Sequence, residues 1–479
     1  MSTNKFVGRK TELQILNKLL GKKSSSLVVI RGRRRIGKSR LIEEFAKGKI
    51  FYSFTGISPT PQTTAQSERN NFMLQLSAQT NLPEVIVDDW SKIFSLLAEK
   101  IKQKRIVVLL DEISWMGSKD PDFLGKLKIA WDLHFKKNPN LLLVLCGSAS
   151  AWIEKNILSS TGFLGRVSLR LNLQELHLNE CNQFWSEKKY ISAYEKFKIL
   201  SVIGGIPRYL EEIQPQLSAE ENIKDLCFTP GGILANEFDD IFHDLFSNRS
   251  DTYKNIVNLL IMGPCTIKEI CNKLRISQSG LISEYLGDLL CSGFITKDFT
   301  WNIKSGRDSR LSHIRLSDNY LRFYLRYIEP RKTQIERNSF SLSSLSNLPG
   351  WYSIMGLQFE NLVLSNRNYI RTILGIDPND VLSENPFFQR KTQRNAGVQI
   401  DYMIQTKYRV LYICEIKFSQ HSIEPQIINE VENKIRYLTY PKGYSCRAIL
   451  VHVNGVSDTV IASDYFAKII DFGKLLNTV

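Results

Sequence analysis

The sequence has no apolar run long enough to cross a bilayer. The longest, Ile106 to Leu110 and Leu141 to Cys146, fall far short of the about 20 residues a spanning helix needs, so no membrane partner is expected. No apolar segment follows Met1-Ser2-Thr3-Asn4-Lys5, so no secretory leader is expected. The eight cysteines include no C-x-x-C pair, and none lies near a histidine at zinc spacing, which argues against a structural zinc site and a disulfide framework. Cys146 and Cys414 sit inside apolar stretches, where a reduced thiol behaves as a small core residue. These absences together predict a cytoplasmic, reduced protein. Negative charge is also in short supply. There are 48 acidic against 63 basic side chains, a net charge of +15 over 479 residues, which favours a polyanionic partner, nucleic acid or nucleotide. The chain is 43% hydrophobic, a globular composition. Its length suggests about three domains at roughly 150 residues each.

One stretch organises the rest. Leu27 to Ile30 is a β-branched apolar run that reads as a buried strand. It leads into Gly32-Arg33-Arg34-Arg35-Ile36-Gly37-Lys38-Ser39, and Arg40 to Ala46 then has helical spacing. Strand, G-x-x-x-x-G-K-S and helix make a phosphate-binding loop in its proper setting. Glycines let backbone N–H groups turn inward around the anion, and the helix N-terminus adds its positive end. Gly32 through Arg40 are the candidate cradle, with Lys38 on the β- and γ-phosphates and the Ser39 hydroxyl on Mg2+. A second apolar strand, Ile106 to Leu110, ends in Asp111-Glu112. At the C-terminal end of a parallel strand these face the ligand crevice. Asp111 is placed in the Mg2+ shell, and Glu112 is the candidate base for the attacking water. A third strand, Leu141 to Gly147, ends at Ser148, a candidate γ-phosphate sensor or simply a helix cap. Arg166, in Gly162-Phe163-Leu164-Gly165-Arg166, is the candidate for an arginine reaching a γ-phosphate, within its own subunit or in a second copy of the chain; Arg170 is the second choice.

Ahead of the loop, Phe6-Val7-Gly8-Arg9-x-x-Glu12-Leu13 resembles the base pocket of AAA+ and STAND-type ATPases. The resemblance implies that the backbone at Phe6, Val7 and Gly8 holds adenine. Gly204-Gly205-Ile206-Pro207-Arg208 resembles the G-x-P signature of their helical lid, which would put Pro207 on the base and Arg208 near phosphate. Together these phrases resemble the archaeal-type ATPases, whose members often carry a winged helix and a restriction-endonuclease-like tail.

From Tyr253 to Leu316 the order helix, helix, helix capped by Ser277, strand, strand reads as a winged helix-turn-helix. Its third helix, Gln278 to Asp288, contains two acids and no base. That suits a structural or regulatory module packed on its own ATPase better than a DNA reader, since helices that approach phosphates carry Lys or Arg. The aromatic and basic run Asp318 to Tyr327 reads as an amphipathic helix with Leu321, Tyr324 and Leu325 inward, or as a base-stacking platform.

In the tail, Trp351 to Leu364 is helical and carries Glu360, while Val398 to Ile404 and Val410 to Lys417 are paired strands. Glu415 and Lys417 share a face, and Asp401 can join them. This resembles the PD-(D/E)xK nuclease core. The resemblance implies that Asp401 and Glu415 bind Mg2+, that Lys417 aids the water, and that Glu360 completes the set. An exposed ion pair and a non-cutting binding module are the alternatives.

The expected fold is α/β. It comprises a P-loop ATPase core with a parallel sheet (1–175), a helical lid (176–250), a winged helix (251–335), a Ser-rich linker (336–350) and a nuclease-like domain (351–479). The expected activity is ATP binding and hydrolysis with Mg2+, coupled to a tail that acts on DNA or binds it. A nucleotide switch without turnover and a DNA-binding regulator are the competing readings.

Overall fold

The computed structural model describes residues 6–102, 105–148, 150–185, 190–246, 250–393 and 396–477. They divide into two compact units, Met1–Glu175 and Leu176–Val479.

In the first unit the strands are β1 (Ser26–Arg31), β2 (Ile50–Thr55), β3 (Ile106–Asp111), β4 (Leu141–Gly147) and β5 (Val167–Asn172). All pair in parallel, in the order β2-β3-β4-β1-β5. Strands β1, β3 and β4 are apolar and buried almost throughout, as parallel strands covered on both faces must be. The helices are α1 (Lys10–Leu20), α2 (Lys38–Ala46), α3 (Ala65–Thr80), α4 (Trp90–Ile101), α5 (Ile113–Met116), α6 (Phe123–Leu133) and α7 (Ser150–Ile153). An aromatic cluster of Phe54, Phe72, Trp90, Phe94 and Phe123 fills the core between the sheet and α3, α4 and α6. Because β4 lies between β1 and β3, the residue that ends β4 stands between the phosphate loop and the two acids.

The second unit begins with α8 (Leu178–Cys181), α9 (Ala193–Ile203), α10 (Pro207–Leu210), α11 (Ala219–Cys227) and α12 (Ile233–Phe246). Helix α9 stops at Gly204, which has φ +64°, and Pro207 opens α10. Next come α13 (Ser250–Leu259), α14 (Ile267–Leu274), α15 (Gly280–Cys291) and the antiparallel pair β6 (Ile295–Trp301) and β7 (Asp308–Leu316), which is winged-helix order. Helix α15 starts after Ser279, whose backbone is extended, two residues later than a Ser277 cap predicts.

The aromatic run folds as α16 (Asn319–Phe323) and one π turn, Tyr324–Ile328. It is not amphipathic: Tyr320, Leu321, Phe323, Tyr324, Leu325, Tyr327 and Ile328 are all buried. Tyr324 stacks on Phe238, and Phe323 and Tyr327 pack edge-on and tilted against Trp351, so none is left as a base-stacking platform. After α17 (Lys332–Glu336), the Ser-rich stretch is packed in place. Leu345 and Leu348 are buried, and the Glu220 carboxylate accepts a bond from the Leu345 N–H.

The tail adds α18 (Trp351–Ser365), α19 (Arg367–Leu374), β8 (Val381–Gln389), β9 (Val398–Thr406), β10 (Val410–Ile416), α20 (Gln426–Tyr437), β11 (Ser445–His452), α21 (Asp458–Ala462) and β12 (Lys468–Asp471). Its sheet runs β12-β11-β10-β9-β8, antiparallel across β8, β9 and β10 and parallel across β10, β11 and β12. Pro386 is tolerated in β8 because that strand is the sheet edge and is bulged there.

Candidate functional site

The phosphate loop is shaped by contacts that demand its glycines. A Cβ on Gly32, which has φ +151°, would meet the Leu173 carbonyl oxygen at 2.5 Å, because the chain after β5 crosses there and the Leu173 N–H bonds the Arg31 carbonyl at 2.8 Å. Gly37, with φ +87°, precedes the first turn of α2. Helix α2 starts at Lys38, two residues before the spacing predicts, so Lys38 and Ser39 lie in its first turn. The Lys38 ammonium donates to the Gly32 and Arg33 carbonyls, each at 3.0 Å, and is thereby aimed into the loop. Replacing Gly32 with alanine should abolish ATP binding outright, measured with a fluorescent ATP analogue. Wild-type affinity in Gly32→Ala would show that the Leu173 crossing does not constrain the loop.

Around the loop the acids converge. The Ser39 hydroxyl donates to Asp111 Oδ2 at 2.6 Å. A hydroxyl and a carboxylate are the hard oxygen donors Mg2+ takes, so these residues fit the ion. Glu112 has a left-handed backbone, φ +49°, a strained setting typical of functional positions. Its Oε2 accepts from both the N–H and the hydroxyl of Ser148, each at 3.1 Å. Burial pushes the Glu112 carboxyl above the usual range and nearby Lys38 pulls it back. Ser148 therefore orients Glu112. The loop's arginines are engaged as well: Arg31 pairs with Glu154, Arg40 pairs with Glu43 at 3.6 Å, and Arg35 has φ +64°. Phe6, Val7 and Gly8 lie half-buried just before α1.

Arg166 and Arg208 have their partners elsewhere. Arg166 makes a two-pronged bond to Asp132 on α6, at 3.0 and 2.8 Å, and holds that carboxyl well below its usual range. To reach a phosphate it would have to leave this partner. Pro207 and Arg208 belong to the second unit, where Arg208 pairs with Glu211 and Glu212 at 3.4 and 2.6 Å.

The tail's candidates do meet. Asp401 on β9 and Glu415 on β10 are cross-strand neighbours, and together with Glu360 and Lys417 they line a cavity of about 530 Å³. Asp401 Oδ2 accepts from the Ile416 N–H at 2.9 Å. Lys417 lies 3.1 Å from Glu415 and 2.8 Å from Glu430. Lys434 of α20 reaches both acids, 2.5 Å from Glu415 Oε2 and 3.5 Å from Asp401 Oδ1. Its ammonium stands in for a cation between the carboxylates, and in that respect the residues fit a divalent ion. Among the described residues no three His, Cys, Asp or Glu side chains converge closely enough to hold an ion alone, so water or substrate oxygens would have to complete the shell.

Helix α18, which carries Glu360, is gripped from two sides. Phe359 packs edge-on against Phe197 of α9, with ring centres 5.4 Å apart. Arg315 of β7 bonds the Asn361 side chain and is paired with Asp298 of β6 at 2.7 Å. The Asn319 amide donates to the Gln358 carbonyl at 3.0 Å. The wing itself covers the edge strand of the tail sheet. Trp301 Nε1 donates to Gln405 at 2.5 Å, Asn385 to the Phe299 carbonyl at 3.2 Å, and His313 stacks on Phe388 at 3.8 Å.

Burial, and then Asp401, push Glu360 up; burial, and then Glu415, push Asp401 up. Both groups keep protons that an unfolded chain has already released above about pH 4.5. The folded second unit is therefore expected to lose stability as pH rises from there through neutrality. In chelator, the melting temperature of wild type should fall between about pH 5 and about pH 8 more steeply than that of Glu360→Gln. Parallel curves would count against a proton held at Glu360.

Four residues at or beside these sites escaped the sequence reading. Arg9, 5% exposed, donates to the Ile36 carbonyl at 3.1 Å and ties the segment before α1 to the loop; it was visible only as part of the phrase Phe6-Val7-Gly8-Arg9. Lys434 could have been found from Glu430, Asn433, Lys434 and Tyr437, which share one face at i, i+3, i+4 and i+7. Asp298 and Arg315 face each other across the β6–β7 hairpin, and what left no local signal is the bond from Arg315 to Asn361, which exists only where the wing meets α18.

Comparison with known proteins bears on the first unit and the winged helix. The family described as an ATPase domain predominantly from Archaea matches residues 6–213, and the arsR family of bacterial regulatory proteins matches residues 250–297. The uncharacterized protein MJECL04 of Methanocaldococcus jannaschii is 26% identical over 361 residues, covering 74% of this chain and 76% of that one. The Walker-type ATPase paby2304 of Pyrococcus abyssi is 15% identical and aligns over 67% of this chain and 96% of its own, with a TM-score of 0.47. ORC2 of Aeropyrum pernix is 14% identical over 71% of this chain and 98% of its own, with a TM-score of 0.42. From the loop geometry and the match over residues 6–213, the chain carries an ATPase domain of the predominantly archaeal type, followed by a winged helix-turn-helix.

Proposed function

We propose that the chain binds and hydrolyses ATP, and that its nucleotide state governs a phosphodiester-cleaving site in the tail. The observation that carries the first part is Glu112, held by two Ser148 donors beside Asp111 and Lys38. The loop amides and Lys38 bind and neutralise phosphate. Ser39 and Asp111 would hold Mg2+, which supplies further neutralisation of phosphate charge. Glu112 orients the attacking water and takes its proton, and its raised affinity for protons suits it to that task. Phe6, Val7 and Gly8 are the adenine contacts in this reading.

For the tail, support comes from Asp401, Glu415 and Lys417 meeting in one cavity beside Glu360. Asp401 and Glu415 would hold a divalent ion, which polarises a phosphodiester when bound. Lys417, fixed between Glu415 and Glu430, positions the water. Support for coupling comes from within the second unit, where α9 packs by Phe197 on Phe359, next to Glu360. A DNA-regulator reading draws on the arsR-family match. Against it, the exposed face of α15 carries Leu281, Ser283 and Glu284 without a base, and the wing is covered by the tail.

The test is incubation of supercoiled plasmid with the full chain, Mg2+ and ATP. Nicking is expected from wild type and is expected to be lost in Lys417→Ala and reduced in Lys38→Ala. Intact plasmid under every condition would remove the nuclease part of the proposal, and steady-state phosphate release would then decide between ATPase and passive switch.

A further inference from the structure

Resting on the tail reading above, we infer that Lys434 is a built-in plug: its ammonium occupies the divalent-ion position between Asp401 and Glu415 and must swing out before an ion can enter. Two carboxylates meet there, and Glu415 is 2% exposed. Facing carboxylates in a poorly solvated site need a positive charge between them. The chain supplies it from α20, with Lys434 at 2.5 Å from one acid and 3.5 Å from the other. A divalent ion bound by both acids would sit roughly 2.0–2.6 Å from the same oxygens. Ammonium and ion therefore exclude each other.

The second lysine behaves differently. Lys417 is tied on its other side to Glu430 at 2.8 Å, and it contacts Glu415 through Oε1, whereas Lys434 contacts Oε2. Lys417 can stay while the ion enters. The cavity of about 530 Å³ next to Lys434 gives its long, flexible stem room to move. An anionic strand entering that cavity offers the displaced ammonium a new partner, so strand and ion admit each other. By linkage the coupling is reciprocal: whatever factor the strand adds to ion affinity, the ion adds to strand affinity. The plug would keep the acidic site from loading with metal until a phosphate backbone is present.

The experiment is Mn2+ titration of the full chain without nucleotide, read from the electron paramagnetic resonance of free Mn2+, with and without a short DNA duplex whose own Mn2+ uptake is subtracted. Wild type should bind Mn2+ weakly and tighten about tenfold with duplex, a typical size for such coupling. Lys434→Met should bind about tenfold more tightly than wild type without duplex, and the duplex should then add little. Lys434→Arg should resemble wild type. Lys434→Gln, which keeps a hydrogen-bond donor, serves where methionine unfolds the site. Equal Mn2+ affinity in wild type and the neutral variants, or an undiminished duplex effect in them, overturns the plug. If Asp401→Asn leaves Mn2+ binding unchanged in every background, the ion is not at this site, and the nuclease reading falls together with the plug.

Discussion

Replacing Glu112 with glutamine is expected to lower steady-state phosphate release by about two to four orders of magnitude, with ATP binding retained. The substitution is nearly isosteric. Glutamine can still accept from the Ser148 N–H and hydroxyl that now hold Oε2 at 3.1 Å each, so the end of β3 and its left-handed turn need not move. It cannot take a proton from water. The phosphate-binding parts, Lys38 and the loop amides, are untouched. Lys38→Ala should give the opposite pattern, with binding lost and turnover lost as a consequence. Ser148→Ala should fall between wild type and Glu112→Gln, because one backbone donor to Glu112 remains. Radiolabelled ATP binding and phosphate release on the same preparations separate these cases. Turnover in Glu112→Gln within a few-fold of wild type would mean that another group activates the water.

The second large effect is on folding. Asp298 and Arg315 form a pair in the wing, with both side chains under 10% exposed. Arg315 also bonds Asn361, one residue from Glu360. Asp298→Ala should destabilise the second unit by about 3–5 kcal/mol, because it leaves an uncompensated buried guanidinium. Asp298→Leu combined with Arg315→Met should recover most of that loss, since well-packed apolar replacements of buried pairs are often neutral. Urea unfolding of the full chain, followed by tryptophan fluorescence with Trp301 on β6 as a local reporter, measures both. A cost below about 1 kcal/mol for Asp298→Ala is the range of an exposed pair, and would mean the wing is not docked on α18. Arg322, 1% exposed in the same region, has its ionisation lowered to about 9 by burial and by Arg315. Restoring stability while leaving that second cation in place would separate the two guanidinium groups' contributions.

Much of the chemistry was legible in short stretches of sequence. The phosphate loop is written in consecutive residues because its mechanism uses consecutive amides, and the acids at the end of β3 and the pair Glu415 and Lys417 at the end of β10 follow from strand period alone. The strands themselves announced their burial: β1, β3 and β4 are unbroken apolar runs because both their faces are covered. The Asp318 to Tyr327 run misled because period alone shows one apolar face, whereas here π-turn geometry and neighbouring aromatics bury every ring and leave only Arg326 half-buried.

What the sequence by itself determined is therefore local: the loop that grips phosphate, the carboxylates beside it, and the strand that places Glu415 and Lys417 on one face. Only the tertiary structure decided which groups those residues meet. Ser148 proved to be the partner of Glu112, Asp132 the partner of Arg166, and Lys434 the cation between Asp401 and Glu415. The wing is a brace on α18 for the same reason. Such pairings join residues tens of positions apart, and the energy that fixes them, desolvation of charge in a packed interior, exists only once the interior has formed.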